Sequence, residues 1–198
     1  MEEEAKVSNH TVHSVWLKLG DRVSRYMYSH PVLFDKDETV EVDETREIWT
    51  IDDPLPYTTE ITEGKGEWVL GLRSRFNDKV FLRPIEDRTT ASVVDPILAH
   101  VELGATIISD ALSSYQELTP DGYRHYTINK AQEGFSRYQA HTGFDEKVNV
   151  NSIEATWGQF RKYLNRHHKY GGRHVFYVCN YYMYDLLFDS YVNAIKLS

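Results

Sequence analysis

The sequence predicts an α/β fold in which a mixed central sheet is flanked by helices, and three observations carry the prediction. Residues 39–45 alternate apolar and polar side chains as a strand does. Two β-rich runs joined by a short polar connector come next, as in a hairpin. From about residue 89 onward, stretches with helical periodicity alternate with short strands, the arrangement that places helices against a sheet.

Taken in order, Ser8 is a suitable N-cap for a helix in which Val12, Val15, Trp16, Leu19 and Val23 recur at helical spacing and which ends near Tyr28, before Pro31. In the strand Thr39 to Thr45, Val40 and Val42 take one face while Glu41, Asp43 and Thr45 take the other, with Asp43 expected at its C-terminal end. Ile51 to Gly66, with two prolines and two glycines among polar residues, reads as a loop. Glu67 to Arg73 and Lys79 to Ile85 form the hairpin. A helix from Thr89 to His100 follows, stopped by Gly104. Ala105 to Ser109 is a strand of the kind buried on both faces, and it delivers Asp110 at its end. A helical turn over Ser113 to Leu118 leads to a strand at Tyr123 to Ile128, and Gly134 to Lys147 reads as loop. From Asn151, the spacing of Ile153, Trp157, Phe160, Tyr163 and Leu164 gives an amphipathic helix capped by Asn151 or Ser152, with Glu154 in its first turn. Gly171-Gly172 breaks it, and a last aromatic-rich helix runs from His174 to Ile195.

Composition narrows the function classes. An apolar share of 41% with 14 Tyr and 4 Trp supplies the core that a disordered chain lacks, and 198 residues suit one domain plus a short appendage. The single cysteine, Cys179, has no partner for an intramolecular disulfide or a thiolate zinc site, which favours an intracellular setting. No stretch approaches the roughly 20 apolar residues that span a bilayer, so no membrane association is expected. The net charge of −8 is unlike that of most nucleic-acid binders, but it is unevenly spread. Asp35 to Glu63 holds eleven acidic and two basic residues, whereas Arg161 to His174 holds five basic residues, three histidines and no acid. The basic stretch, Arg161, Lys162, Arg166, Lys169 and Arg173, can track a phosphate backbone; a solvated helix face is the competing reading. His167-His168 with His174 reads as surface histidines, and Tyr177, Tyr181, Tyr182 and Tyr184 read as packing residues rather than a base-stacking platform.

Three carboxylates fall on elements that can converge: Asp43 and Asp110 ending strands, and Glu154 opening a helix. In open α/β sheets, ligands gather at the carboxyl ends of strands. Singly, such residues are usually turn or helix-dipole groups. Glu41 and Glu44 read as solvated residues of the strand, though close enough to support Asp43.

The blocks around these residues resemble a known family. They are Val40-Glu41-Val42-Asp43-Glu44-Thr45, Gly104 to Asp110 with Tyr115, Gly122 to Asn129, and Asn151-Ser152-Ile153-Glu154 with Trp157. Together they are similar to the Asp-Asp-Glu transposase domain of Merlin elements and their bacterial insertion-sequence relatives, within the retroviral-integrase-like superfamily. The resemblance implies a ribonuclease-H-like fold over residues 39–198 with a five-stranded mixed sheet. It implies Asp43, Asp110 and Glu154 as catalytic ligands of two Mg²⁺ or Mn²⁺ ions, DNA as partner, and a homodimer or higher oligomer when active. It places such a protein in the nucleus of a eukaryote or the cytoplasm of a bacterium. Residues 1–30 resemble the recognition helix of a helix-turn-helix, a remnant without its partner helices. The chain departs from the family pattern where Arg46 to Asp53 is acidic and lacks glycines, and where Lys130 and Asn149 stand at positions usually held by histidine. Three functions fit: a transposase that cleaves and joins DNA, a captured and inactive domain serving as a DNA- or protein-binding module, and a nuclease without strand transfer.

Overall fold

The computed structural model describes residues 8–47, 67–118, 122–129, 136–138, 147–167 and 174–197. Helix α1 (Asn9–Ser29) starts where Ser8 accepts the Thr11 backbone N–H at 3.1 Å, the expected cap. Strands β1 (Thr39–Glu47), β2 (Glu67–Ser74) and β3 (Val80–Ile85) form an antiparallel meander. Helix α2 (Thr90–His100) is capped by Thr89 and leads into β4 (Thr106–Asp110). A 3₁₀ turn (Ser113–Leu118) and β5 (Arg124–Ile128) follow. Then come two short strands, β6 (Ser136–Tyr138) and β7 (Lys147–Asn149), and helices α3 (Asn151–His167) and α4 (His174–Leu197).

The main sheet has the order β3-β2-β1-β4-β5, with β4 parallel to β1 and β5 parallel to β4. This is the expected mixed five-stranded sheet. The fully buried Ile107 and Ile108 confirm β4 as a strand covered on both faces.

Several details differ from the sequence reading. Strand β1 runs four residues past Asp43, so this aspartate lies within the strand rather than at its end. That strand is not half-buried: Glu41, Asp43, Glu44 and Thr45 are all buried, because helix α3 covers one face and the 3₁₀ turn the other. Helix α2 ends before Gly104, whose φ of +93° instead turns the chain into β4. Part of the segment read as a loop pairs as β6 and β7, joined in register Arg137↔Val148. The loop expected over residues 51–66 and the break at residues 171–172 lie outside the described residues.

The helices meet through aromatic contacts. Trp16 of α1 packs edge-on against Tyr177 of α4 at 5.5 Å, while the Tyr177 and Tyr181 hydroxyls donate to Asp21 and to the Trp16 carbonyl. Tyr182 stacks edge-on against both Phe160 and Tyr163, joining α4 to α3. Tyr177, Tyr181 and Tyr182, with Tyr184 edge-on against Tyr26, are therefore packing residues, as expected. No helix among the described residues is long and apolar enough to cross a membrane.

Candidate active site

Alternate residues of β1 hold successive turns of α3. Glu41 Oε2 accepts the backbone N–H groups of Ser152 at 2.7 Å and Ile153 at 3.0 Å, in the first turn of the helix. Two residues on, Asp43 Oδ2 accepts the indole N–H of Trp157 at 3.1 Å. Two further on, Thr45 Oγ1 accepts from Arg161 Nη2 at 2.5 Å. The strand's two-residue repeat is thus matched to roughly one helical turn per step. Gly71 makes this possible. It is the register partner of Asp43, and a side chain there would lie 2.5 Å from Trp157 Cη2 and 2.9 Å from Ile153 Cδ1.

Asp110 is placed by the sheet. Strands β1 and β4 pair in parallel through Val42↔Ser109, so Asp43 and Asp110 are the next positions on neighbouring strands and share a face. Asp110 Oδ1 accepts the Leu112 N–H at 2.9 Å, which closes the turn beyond β4. Glu154 lies one turn before Trp157 on α3, exposed at the border of the stripe formed by buried Ile153, Trp157, Phe160 and Leu164. Seven residues on, Arg161 returns to nearly the same border. The three carboxylates therefore sit on one side of the sheet, on adjoining elements. Among the described residues, no three Asp, Glu, His or Cys side chains are gathered closely enough to hold a metal ion.

On the opposite face of β1, Glu44 is buried and accepts from Arg88 Nε at 3.0 Å, from Arg88 Nη2 at 2.8 Å and from the Tyr115 hydroxyl. Arg88 in turn lies over the Trp68 ring at 4.8 Å. Burial raises the Glu44 carboxyl above its usual range, and the Tyr115 and Arg88 contacts offset this only in part. Burial pushes the Tyr115 phenol well up as well, with the Glu44 charge adding to it. His125 of β5 meets Ser109 Oγ at 2.9 Å through Nε2, and burial lowers it to about 4, so it is neutral at pH 7.

Glu41 and Glu44 correct the sequence reading: neither is solvated, and each side chain is fully enclosed. The cap of α3 is likewise neither Asn151 nor Ser152: the helix begins at Asn151, whose N–H is accepted by Asn149 Oδ1 at 3.1 Å, and a glutamate 111 residues upstream of Ser152 accepts the next two N–H groups. Arg75, which pairs with Glu41, went unnoticed in the sequence because it sits in a hairpin turn, where a solvated arginine is the ordinary expectation. The one available signal was Glu44, an acid on the same strand face as Val40 and Val42. In the basic segment, Arg161, Lys162 and Arg166 are exposed on α3, whereas Lys169 and Arg173 lie outside the described residues, as does His168.

Sheet order, strand directions and the helix across β1 define an α/β protein of the ribonuclease-H-like class. More narrowly, the chain belongs to the ISXO2-like transposase domain family, which it matches over residues 37–188. No curated protein matches it. Among solved structures, it is similar to a chain of the simian T-cell lymphotropic virus intasome in complex with PP2A regulatory subunit B56 gamma. The identity there is 16% and the TM-score 0.45, covering 75% of this chain and 48% of that chain, so the match spans about half of the other chain's length. Two structures of the HTLV-2 integrase catalytic core domain in complex with magnesium, trimeric and dimeric, match at 15% and 14% identity, each with a TM-score of 0.39. They cover 68% and 66% of this chain, and 73% and 71% of theirs.

Proposed function

We propose that this protein is a DNA transposase that cleaves and joins phosphodiester bonds with Asp43, Asp110 and Glu154 as ligands of two Mg²⁺ or Mn²⁺ ions. The observation that carries the reading is the parallel register placing Asp43 beside Asp110, with α3 bringing Glu154 to the same side. Carboxylate oxygens suit hard divalent cations, and clustered carboxylates repel one another until a cation offsets their charge. Asp43, Asp110 and Glu154 would hold such ions, whose Lewis-acid chemistry when bound is activation of a water or 3′-hydroxyl and stabilisation of the leaving oxygen of a phosphodiester. The chain's own work is positional: the Trp157 N–H fixes one oxygen of Asp43, and the Leu112 N–H fixes one of Asp110. Arg161, Lys162 and Arg166 on α3, with Lys169 and Arg173 beyond it, would hold the DNA backbone. Residues 1–30 would carry a recognition-type helix of a helix-turn-helix, with α1 packed on α4. An active assembly would be a homodimer or higher oligomer.

A second reading is a captured domain that binds DNA or protein without cutting, favoured by the net charge of −8 and by Lys130 and Asn149 at positions where the family usually has histidine. One assay separates the two: nicking of a DNA duplex in Mn²⁺ or Mg²⁺ by the wild type and by Asp110→Asn. Metal-dependent nicking that the substitution abolishes is the expected result. Absence of nicking by well-folded wild type, with binding retained, would establish the captured module instead.

A further inference from the structure

We propose that Glu41 is a positioning residue of the site, setting where α3 begins and so where Glu154 stands relative to Asp43. The inference rests on the metal-binding reading above. Glu41 lies two residues before Asp43 on β1 and is completely buried. One oxygen, Oε2, accepts the second and third N–H groups of α3, from Ser152 and Ile153, and the other, Oε1, accepts Arg75 Nε at 2.8 Å, while the first N–H, of Asn151, is met by Asn149 Oδ1. The same guanidinium donates through Nη2 to the Asn149 carbonyl at 2.6 Å, at the end of β7. One buried ion pair thus ties together the strand carrying Asp43, the hairpin turn after β2, the end of β7 and the start of the helix carrying Glu154.

Chemistry makes the arrangement specific. N–H groups in the first turn of a helix lack partners within the helix and attract negative charge. Those N–H groups are ordinarily met by a side chain at the cap itself. Here the acceptor comes from the sheet, so the helix cannot slide or rotate on β1 without breaking charge-assisted bonds in a buried site. Glu154 follows Ile153 directly, leaving no intervening turn to absorb a shift at the bonded N–H groups. Glu41 would therefore act on the metal ligands without touching the metal, as the partners that orient ligand side chains do.

The test is Mn²⁺ binding to the full chain, measured calorimetrically, for wild type, Glu41→Gln and Arg75→Lys. Ile97→Ala, a substitution in α2 away from the site, serves as a control of similar thermal destabilisation. Glu41→Gln keeps the shape but loses the charge shared by Arg75 and the helix. Arg75→Lys keeps a cation that cannot reach both Glu41 and Asn149 in the same way, and it stands in if the glutamine variant does not fold. The expected result is Mn²⁺ affinity about 10-fold or more weaker in either variant, within the range seen when such orienting partners are removed. The control should stay at the wild-type value, and the Mn²⁺ concentration for half-maximal nicking should rise in parallel with the dissociation constant. Wild-type affinity in the Glu41 and Arg75 variants, or an equal loss in the control, would overturn the positioning role. Failure of the wild type itself to bind Mn²⁺ would instead overturn the site reading on which it rests.

Discussion

Gly71→Ala should unseat Trp157 and with it the hydrogen bond on Asp43, at a cost that follows from the geometry. The added methyl would lie 2.5 Å from Trp157 Cη2 and 2.7 Å from Cζ2, in a region where Trp157 and Ile153 are already fully buried. Ordinary carbon contact needs about 3.5 Å, so the ring must retreat by about 1 Å. A retreat of that size stretches the 3.1 Å bond between Trp157 Nε1 and Asp43 Oδ2 to about 4 Å, beyond hydrogen-bonding range. Overpacking costs about 1–3 kcal/mol, and loss of a hydrogen bond to a charged acceptor costs about 1.5–3 kcal/mol more. Together these amount to about 2.5–6 kcal/mol, or roughly 5–25 °C in melting temperature for a chain of this size. Gly158→Ala provides the contrast, because nothing lies within 4 Å of its added methyl and the residue is interior to α3. That change should stabilise by about 0.5–1 kcal/mol. Thermal unfolding by circular dichroism, together with the indole N–H resonance of Trp157, measures both effects. A Gly71→Ala protein that melts with the wild type and leaves that resonance unmoved would refute the account of how Asp43 is held.

Two further predictions concern charge. Burial alone would raise the Glu38 carboxyl, but the hydrogen bond from Lys79, with others from Ser74, the Asp35 backbone and Asn77, holds it down to about 2. A carboxyl lowered in the folded state stabilises fully above its unfolded value near 4.5, and that stabilisation is lost as pH falls through about 2. Because Lys79 is partly exposed and its pairing screened, the contribution is roughly 1–2 kcal/mol, and Glu38→Gln should flatten the acid limb of the stability curve. A mutant curve parallel to the wild type between those pH values would exclude it. The second concerns α3: replacing Lys162 or Arg166 by Ala should reduce the slope of log affinity against log salt by about 1 per contact if they meet DNA phosphates. An unchanged slope would return both residues to the role of a solvated face.

The sequence by itself determined much of the scaffold, because its signals are local. Alternation at Val40 and Val42, the all-apolar run leading into Asp110, and the 3.6-residue spacing of Ile153, Trp157, Phe160 and Leu164 each follow from the periodicity of a single element. Placing Asp110 at a strand end and Glu154 in the first turn of a helix needed no knowledge of what packs against them. The short strands β6 and β7 were not legible, since three-residue strands carry too little periodicity to distinguish them from loop. Only the tertiary structure decided that Glu41 and Glu44 are buried and what each one bonds. In sequence, a glutamate on a strand is solvated by default; here Arg75 and the start of α3 enclose one, and Arg88 and Tyr115 the other. Those partners lie 34 to 112 residues away, and charge burial becomes affordable only when such distant groups arrive together.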